Sequence, residues 1–267
     1  MSTATPDPAR LPIAVFDSGV GGLSILRALV AHLPHEHFLY VADNAWLPYG
    51  ARSQEEIQQR LLIITQHLLE RGIKALVIAC NTATAAAIDH IRACFPELIV
   101  VGVEPAIKPA CALTRSGVVG VLATEHTVAS ARFQNLIRQY AQGVQVIGQA
   151  CPGWVEFVES GNPDATAAQD RVRPQIDILL SAGADVLVLG CTHYPFLEPA
   201  IRSIAEAVTI IETGMPVARQ VQRLLEERQL LTMHAHPALD FFTTAPGKAE
   251  VFAHLLGDTV RLQSLEI

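Results

Sequence analysis

Short apolar runs alternate with longer amphipathic segments along the chain, and this alternation predicts most of the elements. The runs IAVFD (13–17), FLYVA (38–42), ALVIAC (75–80), LIVVGV (98–103), VVGVLA (118–123), VQVIGQ (144–149), DVLVLG (185–190), VTIIE (208–212) and ALDFFTT (238–244) read as strands. Between them, Ile57, Leu61, Ile64 and Leu68 recur at three- and four-residue steps and predict a helix over 54–71. A further helix is expected over 215–229. Strands that are apolar almost throughout are buried on both faces, as in parallel sheets covered by helices, so the fold class is α/β.

An internal repeat sharpens this picture. Residues 75–84 read ALVIACNTAT and residues 186–195 read VLVLGCTHYP, each preceded by a helical stretch and a turn at Gly72 or Gly183. A second echo pairs IAVFDSG (13–19) with VVGVLAT (118–124). The simplest reading is two pseudo-symmetric, mostly parallel-sheet α/β domains facing a shared cleft. The first spans 1–99 and takes back the tail 215–267; the second spans 100–214. Ligands in open α/β sheets bind outside the carboxyl ends of the strands. Cys80 and Cys191, which close equivalent strands, are therefore expected to point into one cleft.

Composition narrows the function classes. The chain has 267 residues, half of them hydrophobic, and a net charge of −7, which excludes a disordered chain. It has no Lys/Arg cluster, which argues against nucleic acid as a partner. No apolar run reaches the roughly 20 residues needed to cross a bilayer, so no membrane partner is expected. The start, MSTATPDPARLP, lacks a basic region followed by an apolar one and reads as a lead-in, not a secretory leader. The five cysteines are odd in number, widely spaced and without a C-x-x-C pair. They form neither a disulfide framework nor a zinc site, and free thiols in a reducing cytoplasm are expected. His32, His35 and His37 cluster beside Pro34, but no Cys or carboxylate constellation accompanies them to make a metal site.

Two segments carry candidate chemistry. Asp17-Ser18-Gly19-Val20-Gly21-Gly22 follows the first strand and opens a helix, where glycines let amides approach an anionic group. It is not a dinucleotide fingerprint, since the spacing is wrong, although Asp43 does follow the second strand. It also reads as plain structural punctuation. Cys80-Asn81-Thr82 and Cys191-Thr192-His193 place thiols just before helices, where the helix N-terminus favours thiolate. The adjacent Asn and Thr could bind a carboxylate or amine, and His193 could assist proton transfer. A lone Cys after a strand is usually a small buried hydrophobe, and Cys94, Cys111 and Cys151 take that reading. Trp154 reads as a helix-face anchor. Two thiols at equivalent ends of a repeat are read as catalytic, either as a redox pair or as acid and base on opposite faces of one carbon.

The segments FDSGVGGLSILRAL (16–29), ADNAWLPYG (42–50), VIACNTATA (77–85), VGVEPAIKPA (101–110), LATEHTVAS (122–130), ACPGWVEFVESG (150–161) and LGCTHYPFL (189–197) together resemble the glutamate racemases of the aspartate/glutamate racemase superfamily. The resemblance implies an isomerase that interconverts L- and D-glutamate without a cofactor or metal and supplies D-glutamate for peptidoglycan. It implies glutamate as the small-molecule partner, a cytoplasmic location and a homodimer. Carried onto this chain, Cys80 takes the α-proton of D-glutamate and Cys191 that of L-glutamate. Asp17 and His193 assist them, and Asp43 and Glu159 are further catalytic carboxylates, with Glu159 preferred to Glu156. The implied substrate-binding residues are Asp17, Ser18, Tyr49, Gly50, Asn81, Thr82, Thr124, Thr127, Thr192 and His193, with Asp17 or Asp43 orienting the ammonium. The chain departs from its relatives at Trp46, where a basic residue is common, and at Glu212-Thr213, where Asp-Ser is. An aspartate or hydantoin-type racemase and a binding module without turnover are the alternatives. A thiol-redox protein fits less well, since the repeat sets the thiols on opposite walls.

Overall fold

The β-branched and apolar runs form strands whose neighbours are all parallel. In a computed structural model that describes residues 7–161, 165–232 and 238–267, β1 (Ile13–Asp17), β2 (Phe38–Ala42) and β3 (Ala75–Ile78) are buried at every position. With β4 (Ile99–Gly102), β9 (Leu239–Thr243) and β10 (Leu262–Ser264) they make a six-stranded sheet in the order β10-β9-β2-β1-β3-β4. A second, four-stranded sheet has the order β6-β5-β7-β8, from β5 (Val118–Ala123), β6 (Gln145–Ala150), β7 (Val186–Leu189) and β8 (Thr209–Ile211). This is the expected α/β class with two parallel sheets.

Three details differ from the sequence reading. β10 has no apolar run and is a three-residue edge held by its register with β9, Leu262 opposite Phe241. β4 pairs with β3 as far as Gly102 opposite Ile78, so a boundary at residue 99 would cut through a strand of the first sheet. Cys94 is exposed at the end of its helix rather than buried, and Cys111 is half-buried.

The helices of the first sheet are α1 (Leu23–His32), α2 (Gln54–Glu70) and α3 (Asn81–Cys94). α2 starts on a capping box, in which the Ser53 hydroxyl accepts from Glu56 N–H and the Glu56 carboxylate accepts from Ser53 N–H. The connecting and second-sheet helices are α4 (Ile107–Leu113), α5 (Glu125–Ala129), α6 (Ala131–Tyr140), α7 (Trp154–Glu159), α8 (Ala165–Ser181) and α9 (Glu198–Ile204). α10 (Gly214–Glu227) then returns to pack on α1, and α11 (Ala249–Leu256) follows β9.

One apolar core runs under both sheets. It joins Leu23, Leu26 and Leu29 of α1 and Val221 of α10 to Trp154, Val172, Leu187 and Tyr194 of the second half. Trp154 is fully buried, stacked edge-on against Tyr194 at 4.8 Å between ring centroids. Each such fully buried aliphatic side chain contributes about 1.5–3 kcal/mol. His32 bonds Gln222 of α10 and His37 bonds Asp240 of β9, so two of the clustered histidines stitch the tail to the first half.

Candidate active site

Strand β3 ends at Ile78, and Cys80 is the extended residue that caps α3. Its sulfur accepts from Ala83 N–H at 3.4 Å and lies 3.6 Å from Ser18 Oγ. The helix N-terminus thus does serve the thiol, yet it does not set its acidity. Burial, followed by the negative Asp17, pushes the Cys80 thiol up to about 12. Burial at Cys80 therefore favours the neutral thiol and works against the help of the helix N-terminus.

Asp17 closes β1 with no exposed surface. Its Oδ2 accepts from Gly19 N–H at 2.9 Å and its Oδ1 from the Thr192 hydroxyl at 3.3 Å. Burial raises its carboxyl above the usual range, against the nearby His193 cation.

The opposite wall is built differently. Cys191 Sγ lies 3.8 Å from His193 Nδ1, and His193 Nε2 lies 2.9 Å from Glu159 Oε1. The same Glu159 oxygen accepts from Val20 N–H at 2.7 Å. Glu159 Oε2 accepts from Lys248 Nζ at 3.2 Å and from Asn44 Nδ2 at 3.4 Å. Burial works against a charged His193, but its contacts with Cys191 and Glu159 outweigh it and hold the imidazole well above its ordinary pKa. Burial likewise opposes Glu159 ionisation, and the His193 hydrogen bond and charge, Val20 N–H and Lys248 together hold that carboxyl below its ordinary value. The result is a buried imidazolium–carboxylate pair beside Cys191.

The Gly-rich turn has a role the sequence did not disclose. A Cβ on Gly19 would sit 1.9 Å from Glu159 Oε1, and one on Gly21 would sit 2.2 Å from His193 Nδ1. These glycines make room in the first half for the acid–base pair of the second.

Both thiols line one cleft of about 260 Å³, together with Ser18, Asn81, Thr82 and Thr192. Tyr49, Gly50, Thr124 and His193 complete the predicted residues found on its walls. Thr82 and Thr124 join their hydroxyls across the cleft at 3.1 Å. Thr127 lies behind the wall, its N–H and hydroxyl bonded to Thr124. Asn81 is buried, its Nδ2 donating to Val103 O at 3.4 Å while its Oδ1 has no partner among the described residues. A buried acceptor left bare is costly until a donor reaches it.

Asp43 is occupied elsewhere. Arg60 grips it through Nε at 2.9 Å and Nη2 at 2.7 Å, and Tyr49 and Thr244 donate hydroxyl hydrogens to it at 2.7 and 2.8 Å. It holds Tyr49 against the cleft and keeps no oxygen free to orient an ammonium. Trp46 lies beneath the same guanidinium, 5.2 Å from Arg60 Cζ and 4.8 Å from Arg52 Cζ.

Several residues of this neighbourhood escaped the sequence reading. Cys151, read as structural, is on the cleft wall near Cys191, and Glu156 lines the cleft while Glu159 lies behind it. Arg60 was legible in principle, because it shares the buried stripe of α2 with Ile57, Leu61 and Ile64, and a basic residue there demands a buried carboxylate. No local pattern marks Lys248 or Asn44.

Comparison with known proteins agrees with this geometry. Residues 20–221 match the family model described as Asp/Glu/Hydantoin racemase. The chain is 54% identical over 241 residues to a glutamate racemase of Methylococcus capsulatus, covering 90% of this chain and 88% of that one. It is 51% identical over 237 residues to a glutamate racemase of Ectopseudomonas mendocina, covering 88% and 90%. Among solved structures, Escherichia coli glutamate racemase in complex with L-glutamate and the activator UDP-MurNAc-Ala superimposes with a TM-score of 0.83 at 32% identity, over 96% of this chain and 98% of that one. Two parallel sheets, a thiol closing a strand of each and a match over most of the length point one way: the chain belongs to the Asp/Glu/hydantoin racemase family.

Proposed function

We propose that the protein is a glutamate racemase that moves the α-proton between two opposed thiols. The observation that carries the reading is the placement of Cys80 and Cys191, at equivalent ends of β3 and β7, on the walls of one cleft. With L-glutamate bound, Cys191 as thiolate removes the α-proton, and the neutral Cys80 thiol then delivers one to the opposite face. D-glutamate then leaves behind a Cys80 thiolate and a Cys191 thiol, the state that accepts D-glutamate for the reverse reaction. His193, 3.8 Å from the Cys191 sulfur, assists proton transfer there, and Asp17 assists at Cys80.

Charge that develops as Cα loses its proton needs fixed donors in a dry site. The first amides of α3 suit a substrate carboxylate, and the hydroxyls of Ser18, Thr82, Thr124 and Thr192 add further donors. Asn81, on the cleft wall beside Cys80, adds a side-chain amide to the groups that can meet the substrate. Asp43 acts through Tyr49 rather than on the substrate. The two sheets correspond to two domains, the tail after Gly214 belonging to the first.

The enzyme supplies D-glutamate for peptidoglycan in the cytoplasm and works as a homodimer, a state that light scattering would check. Among the described residues no helix is long and apolar enough to cross a membrane. The test of the reaction is circular dichroism of purified, reduced protein with L-glutamate and, separately, L-aspartate. Loss of optical activity with glutamate alone supports the reading, loss with aspartate moves the substrate, and loss with neither leaves a binding module.

A further inference from the structure

The Cys191 side of the cleft depends on a group from the far end of the chain. Glu159 is 95% buried, and its two oxygens are divided between two tasks. Oε1 serves His193 and Val20 N–H, whereas Oε2 serves Lys248 and Asn44. Lys248 also donates to the main-chain oxygen of Glu159 at 3.2 Å, so one ammonium holds both ends of the residue. It stands at the start of α11, after the turn that follows β9. There Thr244 donates to Asp43, and Thr243 donates to Asn44 Oδ1, leaving the Asn44 amide hydrogens for Glu159.

We infer that Lys248 is a positioning residue for racemisation, locking the Glu159 carboxylate so that Oε1 stays on His193 and His193 on Cys191. This rests on the two-thiol reading above. The line Lys248–Glu159–His193–Cys191, with steps of 3.2, 2.9 and 3.8 Å, starts in the tail that completes the first sheet and ends on the last thiol of the second. Base activation at Cys191 therefore requires both halves in contact. Among the described residues, the other ionisable groups facing Glu159 and His193 are Asp17 from β1 and Tyr40 from β2, the latter neutral with its hydroxyl donated to Gly19 O.

The test is Lys248→Met, which keeps most of the aliphatic stem and removes the charge, beside Lys248→Arg. Lys248→Met is expected to lower kcat roughly tenfold. It should also move the acid limb of kcat/KM to higher pH, because Glu159 without its cation is easier to protonate. The primary isotope effect should rise from α-deuterated L-glutamate and fall from α-deuterated D-glutamate, since only the Cys191 step has slowed. Lys248→Arg should restore all three. In a Glu159→Gln background, Lys248→Met should add nothing. An unshifted limb with unchanged isotope effects, equal losses in the Met and Arg variants, or additive losses with Glu159→Gln would each overturn the inference. Cys191→Ser run in parallel separates the two claims: retained racemisation there would refute the two-thiol reading itself, whatever Lys248 does.

Discussion

Arg60 closes on Asp43 through two hydrogen bonds where Asp43 has no exposed surface and the Arg60 side chain only 6%. The pair carries the floor beneath Tyr49, and breaking one side leaves the other charge buried alone. Asp43→Asn or Arg60→Met is expected to cost about 3–5 kcal/mol of stability, read from urea unfolding midpoints. In protein that still folds, KM should rise more than kcat falls, because the loosened wall holds substrate rather than reacts with it.

Cys80→Ser and Cys191→Ser should each lower racemisation by about 10³-fold or more while substrate binding is largely kept. In D₂O the wild type should place deuterium at Cα of the product enantiomer, observed by NMR. A product free of solvent deuterium would contradict exchange through thiols.

Gly19→Ala and Gly21→Ala introduce methyl groups where Glu159 and His193 already stand. Both variants should keep far-ultraviolet dichroism close to wild type and lose activity by about 10²-fold, the usual effect of displacing reacting groups by an ångström. Ser24→Ala, at the start of α1, should be much milder, since it removes a hydroxyl shared between Gly21 O and Thr192 O without adding bulk.

The buried pair also makes stability depend on pH. His193 sits above its ordinary value of 6.5, so its contribution is complete below 6.5 and is lost as pH rises through the raised value. Glu159 sits below its ordinary value of 4.5, so its contribution is complete above 4.5 and is lost as pH falls through the lowered one. The two are present in full between 4.5 and 6.5. Unfolding free energies of wild type and Glu159→Gln should differ most within that window and converge on either side. Asp17, raised by burial, works in the opposite sense and is common to both proteins.

The pattern of apolar runs carried the fold a long way, because strands buried on both faces leave an uninterrupted signature and the repeat tells which strands correspond. β10 was lost because a short edge strand is defined by its neighbour and not by its own side chains. The thiols and their Asn, Thr and His neighbours were legible for a similar reason, being contiguous with strand ends. Glu159 and Lys248 were less so: they reach the site from α7 and the turn before α11, and their partnership exists only in three dimensions. The glycines of the first turn show the limit clearly. They were read for what their amides could offer a ligand, whereas Gly19 and Gly21 matter for atoms they lack.

The apolar core that passes from α1 and α10 into Trp154, Val172 and Tyr194 gives the molecule one thermal fate. Two separate sheets would ordinarily suggest two melting events, with one half able to outlast the other. Here neither half can lose its packing without stripping a face of its neighbour. Heating should therefore give a single calorimetric transition, coincident with the disappearance of the cleft. A half-melted chain carrying one reactive thiol in an open wall has no stable place on that path.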